Sequence, residues 1–266
     1  MKRAWKSAAL AVAAGLACGH VAALESMATY DNFGASPIDA SKWSSYERTR
    51  RIKNGALQLA QRDWGLATSD AGTQANSYSE QLSNPAKVTQ FKAVVTLNAI
   101  ELTGCSANPG VGAVRARVAG SFFNTGNPTS GDYTGDVLAQ VRVIRYSDSV
   151  DAAGLAHVEA VASVCRDSDC SSTTTIGGVQ QLGTLAVGES ATLAVEWDKA
   201  TKTFNFWRDI TVSSVSYTLN DSIAPAVNQK YVGLRTEVPN CLSGARASGF
   251  VDASFDNVQI NKSAKP

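Results

Sequence analysis

The sequence predicts an all-β fold, a sandwich or barrel of antiparallel strands, and three observations carry that prediction. Short runs of alternating apolar and polar residues recur along the chain, divided by Gly, Asn, Asp, Pro and Ser at near-regular spacing. No long stretch has the periodicity of an amphipathic helix. The segment 135–165 reads as two strands joined by a polar turn, each with one apolar and one polar face.

That hairpin organises the reading. In its first strand Val137, Ala139, Val141 and Val143 share a face, with Gln140 and Arg142 on the other. In its second, His157 and Glu159 lie opposite Val158, Ala160, Ala162 and Val164. A turn centred near Val150 and Asp151 brings Arg142 opposite Glu159, with Gln140 and His157 close by. Such a cluster is either a binding surface or an ordinary solvated face.

The other elements follow in chain order. A short strand begins at Met27 and leads through a Gly/Pro turn to Trp43. Residues 46–53 and 56–61 form a hairpin whose Asn54-Gly55 pair favours a type I′ turn. Residues 87–102 place Phe91, Ala93, Val95 and Leu97 on one face, and 111–123 place Arg115 and Arg117 beside Ala113 and Ala119. The 124–135 and 171–178 segments read as polar loops. Strands are expected at 180–185, 191–197, 203–208, 212–217, 231–236 and 249–261, with no repeat or composition shift to mark a second domain.

The first residues carry a different message. Lys2, Arg3 and Lys6 precede a short apolar run, and Val21-Ala22-Ala23 offers a small-residue cleavage pattern. Residues 1–23 are therefore expected to be a secretory signal peptide, leaving one domain over 24–266 in a secreted or periplasmic protein. A lipobox around Cys18 is disfavoured by Gly15 where leucine is usual. No stretch is long and apolar enough for a membrane-spanning helix. The 24 basic and 23 acidic residues nearly balance, and no basic tract interleaved with aromatics occurs, which excludes nucleic acid as the expected partner.

Without Cys18, Cys105, Cys165, Cys170 and Cys241 remain, an even number suited to two disulfides in an oxidising compartment. Four cysteines allow three pairings. The short spacing favours Cys165 with Cys170, leaving Cys105 with Cys241. A zinc site would need CxxC spacing and companion histidines, which are missing.

Tyr30-Asp31-Asn32-Phe33-Gly34, then Ile38-Asp39-Ala40-Ser41-Lys42-Trp43 and Lys53-Asn54-Gly55-Ala56-Leu57, resemble the opening of concanavalin A-like lectin/glucanase domains. Ala253-Ser-Phe-Asp-Asn-Val-Gln-Ile260 looks like that superfamily's closing strand. Leu193-Ala-Val-Glu-Trp-Asp198 followed by Thr203-Phe-Asn-Phe-Trp207 resembles its late hairpin. The resemblance implies a two-sheet antiparallel jelly roll whose first and last strands are neighbours, with a ligand groove on the concave sheet. In that setting Arg115, Arg117, Gln140, Arg142, His157 and Glu159 are candidate hydrogen-bonding groups. Trp64, Tyr78, Tyr133 and Trp207 are candidate platforms for a sugar ring, though as aromatics each serves equally well as a core residue. The same resemblance implies a structural calcium, with Asn32 and Asp256 as candidate ligands; no other cofactor is expected.

The chemistry expected of a retaining glycosidase is missing, because no Glu-x-Asp-x-Glu or Glu-x-Asp-x-x-Glu run occurs. Gln140, Arg142, His157 and Tyr231 are present, but not in the motifs that the resemblance associates with lyases. The expectation is therefore a non-catalytic, lectin-like module for a polysaccharide or glycan, an acidic one given its arginines. One alternative is a divergent polysaccharide-degrading enzyme with His157 and Glu159 as acid and base. Another is an adhesive or structural protein that binds a protein partner through its sheet.

Overall fold

The computed structural model describes residues 26–34, 43–44, 50–126 and 128–265. The expected signal peptide, the 35–42 turn and residues 46–49 of the first predicted hairpin lie outside the described residues.

The strands are β1 (Met27–Asp31), β2 (Trp43–Ser44), β3 (Arg51–Lys53), β4 (Ala56–Trp64), β5 (Thr73–Leu82), β6 (Gln90–Leu102), β7 (Ala113–Asn124) and β8 (Asp136–Tyr146). There follow β9 (Leu155–Cys165), β10 (Thr173–Ala186), β11 (Ser190–Asp198), β12 (Thr203–Arg208), β13 (Thr211–Ser216), β14 (Lys230–Pro239) and β15 (Ser248–Asn261). Sheet A runs β13-β12-β11-β6-β15-β4-β3, with β1 also paired to β15; sheet B runs β10-β9-β8-β7-β14-β5-β2. The neighbouring strands pair antiparallel, and the first and last are neighbours, so the expected jelly-roll sandwich is what forms.

Alternation decides which side chains enter the core. Sheet B sends in small and branched residues: Val114, Ala116 and Val118 from β7, then Val137, Ala139, Val141 and Val143 from β8. Sheet A answers with larger ones, among them Phe91, Leu97, Leu193, Phe204, Phe206 and Phe255. Each such aliphatic or phenyl side chain contributes about 1.5–3 kcal/mol on leaving water. One end of the core is aromatic, with Phe123 stacked on Trp197 at 5.4 Å between ring centroids and tilted against Tyr217 at 5.1 Å.

The central hairpin has the expected register, with Arg142 paired to Glu159. Asn54 and Gly55 sit at φ 53° and 80°, as a type I′ turn requires. Both disulfides form: Cys105 with Cys241, and Cys165 with Cys170.

Two segments depart from the sequence reading. β5 is a strand although its sequence, TQANSYSEQL, offers few apolar residues; it is held between β14 and β2, and pairing overrides its weak propensity. β10 begins at Thr173, inside a segment expected to be a loop, and Thr173–Thr175 pair with β9. Gly177 and Gly178, at φ 66° and 80°, interrupt that register as a bulge, which is why the run read as loop.

Candidate functional site

The outer face of sheet B holds a recess of about 430 Å³. Its floor follows from strand pairing. One row across the sheet reads Ser79, Gly233, Arg117, Arg142, Glu159 and Gln181. The row beside it reads Ser77, Arg235, Arg115, Ile144 and His157. On the other side run Gln81, Tyr231, Ala119, Gln140 and Val161. Tyr133 lines the rim, and so do Asp169, Cys170 and Ser171, in or beside the loop closed by the Cys165–Cys170 disulfide.

Four arginines thus meet two glutamates. Arg142 donates to Glu159 Oε2 from Nη2 at 2.8 Å and from Nε at 3.2 Å, and Tyr146 donates its hydroxyl to the same oxygen at 2.9 Å. Gln181 donates to Oε1 at 3.2 Å. Burial pushes the Glu159 carboxyl up, but the hydrogen bonds from Arg142, Gln181 and Tyr146 outweigh it and leave the group below its ordinary range. Glu159 is therefore an anion that holds Arg142 in place. Glu237 plays the same part for two cations, accepting from Arg115 Nη2 at 2.8 Å and Arg235 Nε at 2.7 Å. Even so, burial and the neighbouring arginines pull Arg115 down to about 9.

Arg117 differs from the other three. It is 6% exposed, and no carboxylate pairs with it among the described residues. Its Nη2 reaches only Ser77 Oγ at 3.5 Å, its Nε has no acceptor, and its guanidinium lies 4.9 Å from the centre of the Tyr231 ring. Burial lowers its proton affinity, and Arg235 and Arg142 beside it add to that effect. At the centre of the floor lies a desolvated cation with free donors.

Arg115, Arg117, Gln140 and Arg142 line this recess, with Glu159 directly behind Arg142. His157 shares the face but stands at the β8–β9 turn, with Nε2 2.8 Å from Asp151 Oδ2, and does not line the recess. Tyr133 belongs to the recess, whereas Tyr78 packs against the core. Trp64 lies in sheet A, and Trp207 faces outward from sheet A because its strand turns Phe204 and Phe206 inward. The sandwich separates Trp207 from the arginine floor. Sequence reasoning missed Arg235, Glu237 and the Ser77, Ser79 and Gln81 edge. The first two were legible as the polar alternation of Tyr231, Gly233, Arg235 and Glu237, but β5 left no comparable apolar trace.

Asn32 and Asp256 sit at the paired terminal strands. Asn32 Oδ1 accepts from the Gly34 amide at 3.0 Å, and Asp256 Oδ1 from the Asn257 amide at 2.7 Å. Calcium takes roughly six to eight oxygens. An ion held there would draw on backbone carbonyls and further residues besides these two side chains. The one cluster of three metal-ligating residue types among the described residues is Asp70 with Cys105 and Cys241, whose sulfurs are joined as a disulfide.

No protein-family model matches the sequence, and no curated protein does. Among solved structures, the chain is similar to a GlcNAcα1-4Gal-releasing endo-β-galactosidase from Clostridium perfringens, at 13% identity and a TM-score of 0.49. That match covers 90% of this chain but only 63% of the galactosidase chain. A Bacillus licheniformis β-glucanase aligns at 9% identity and a TM-score of 0.44, over 90% of this chain and 98% of its own. Winged bean acidic lectin aligns at 14% identity and a TM-score of 0.40, over 88% and 98%. At such identities and TM-scores these likenesses assign this chain neither an activity nor a ligand. No helix among the described residues is long and apolar enough to cross a membrane.

Proposed function

We propose that the recess on sheet B binds an acidic saccharide and that the protein is an exported, lectin-like binding module. The observation that supports this reading is Arg117, a buried guanidinium with free donors and no carboxylate partner at the centre of an arginine-rich floor. A uronate or sulfate group entering the recess would supply the missing charge in a bidentate geometry suited to arginine. Gln140, Ser77 and Ser79 would meet ring hydroxyls, and Tyr133 on the rim would cover an apolar sugar face.

Catalysis is the less favoured reading, because His157 stands outside the recess and Glu159 is already paired. His157 is tied to Asp151, and Glu159 is held as an anion by Arg142, Tyr146 and Gln181. The test is a panel of uronate-containing, sulfated and neutral oligosaccharides, scored for binding and for release of reducing or unsaturated ends. Binding of acidic members without turnover is expected, falling more than about tenfold in Arg117→Met and weakening with salt, while His157→Ala binds as wild type. Turnover lost in His157→Ala would overturn this reading in favour of an enzyme. Silence across the whole panel would overturn it in favour of a protein partner.

A further inference from the structure

The outer face of sheet A carries a second recess, of about 260 Å³, on the side of the sandwich away from the arginines. Its floor is Ala194, paired across the sheet with Trp207 on one side and Lys92 on the other. The small alanine between two long side chains makes the depression, and the indole forms one wall. Thr192 and Asp209 lie at one end, and Gln90 with Glu196 at the other.

That polar end is built rather than incidental. Gln90, Glu196, Asn205 and Ser214 form one row across four strands. Gln90 Nε2 donates to Glu196 Oε1, Asn205 Nδ2 donates to Glu196 Oε2 at 2.8 Å, and Ser214 Oγ donates to Asn205 Oδ1 at 2.7 Å. The row fixes the Gln90 amide, and its Oε1 is left buried with no donor on a side chain that is itself only 9% exposed. An acceptor held in that condition costs about 1–3 kcal/mol until a donor arrives.

We infer that this recess is a second saccharide subsite, for the ring of a neutral hexose. A pyranose has one face of C–H groups that packs on an indole, and hydroxyls at its edge that donate to an amide oxygen. Trp207 and Gln90 offer that pair of surfaces around a floor with room for a ring. Lys92 is the one cation among the residues lining this recess, alongside the acids Glu196 and Asp209, unlike the arginine floor of sheet B, so the two sites differ in the sugar they take. With one site on each face, the protein joins two chains or two segments of one mixed chain, and binding through both is strengthened by effective concentration.

The experiment is a two-dimensional NMR titration of the full protein with methyl glycosides of glucose, galactose and mannose to about 50 mM, following the Trp207 indole N–H and the Gln90 side-chain amide. The expected result is a saturable shift of both signals with at least one glycoside. The midpoint should rise more than about tenfold in Ala194→Leu, which fills the floor and leaves the hydrogen-bonded row intact. Trp207→Ala should abolish the response and identify the indole signal, while Arg117→Met should leave the midpoint unchanged. Failure of every glycoside to move either signal would overturn the inference, as would an unchanged midpoint in Ala194→Leu. Acidic-oligosaccharide binding on sheet B is read in the same samples from residues beside Arg117, so loss of one site is distinguishable from loss of the other.

Discussion

Lys230 is a charge the fold carries at a cost, and replacing it should stabilise the protein. Its side chain is 2% exposed, its Nζ donates to the Ser121 carbonyl and lies 4.5 Å from the centre of the Phe122 ring, and no carboxylate pairs with it among the described residues. Burial pulls its pKa from 10.5 down to about 7. Below that value the ammonium is charged in the folded and the unfolded chain alike, and the penalty is complete. Between about 7 and 10.5 the unfolded chain holds the proton and the folded one does not, so stability from this group rises with pH. The gap corresponds to about 5 kcal/mol. Lys230→Met keeps the length and removes the charge, but it leaves the Ser121 carbonyl without its donor, which returns about 1–3 kcal/mol of that gain. The variant should therefore be more stable than wild type by about 2–4 kcal/mol at pH 6, and the difference should vanish or reverse near pH 10. Urea unfolding of both proteins, followed by tryptophan fluorescence at the two pH values, measures it, and other titrating groups cancel in the comparison. A variant no more stable than wild type at pH 6 would refute the reasoning; so would a difference that does not shrink with pH.

Glu159→Gln keeps the shape of the Arg142 partner and removes its charge, so about 3 kcal/mol of stability should be lost at pH 7. Because hydrogen bonds from Arg142, Gln181 and Tyr146 hold the folded carboxyl below its ordinary 4.5, that contribution is present above 4.5 and disappears as pH falls through the folded value, so the urea midpoints of the two proteins should converge as the pH is lowered. Chelation should leave the melting temperature unchanged to within about 1 °C, since a structural calcium at a hundredfold excess over its Kd would add about 2.7 kcal/mol. A clear fall on adding EDTA, restored by calcium, would show that Asn32 and Asp256 recruit further oxygens after all.

Much of the fold was legible because a strand announces itself locally. Phe91, Ala93, Val95 and Leu97 turn inward as their spacing required, and the polar turn after β8 set Arg142 against Glu159 without help from other strands. The hairpin register needs only a turn and two alternating runs, all within one short segment. β5 failed this test because its inward residues are few, and its place comes from the strands on either side.

The candidate site divides along the same line. Alternation alone turns Arg115, Arg117, Gln140 and Arg142 away from the apolar side of their strands, and the cysteine spacing anticipated both disulfides. What a single chain segment cannot express is which strand lies beside which. β14 inserts between β7 and β5, more than a hundred residues away in sequence, and that pairing brings Arg235 and Glu237 to Arg115 and leaves Arg117 unmatched. The same non-local choice separates Trp207 from the arginines: both face outward by local alternation, but β12 belongs to one sheet and β7 to the other. Local periodicity reports the face of a strand, while long-range hydrogen bonding between strands assigns that face to a sheet, so the identity of the polar residues was in the sequence and their grouping into two opposed recesses came from the tertiary fold.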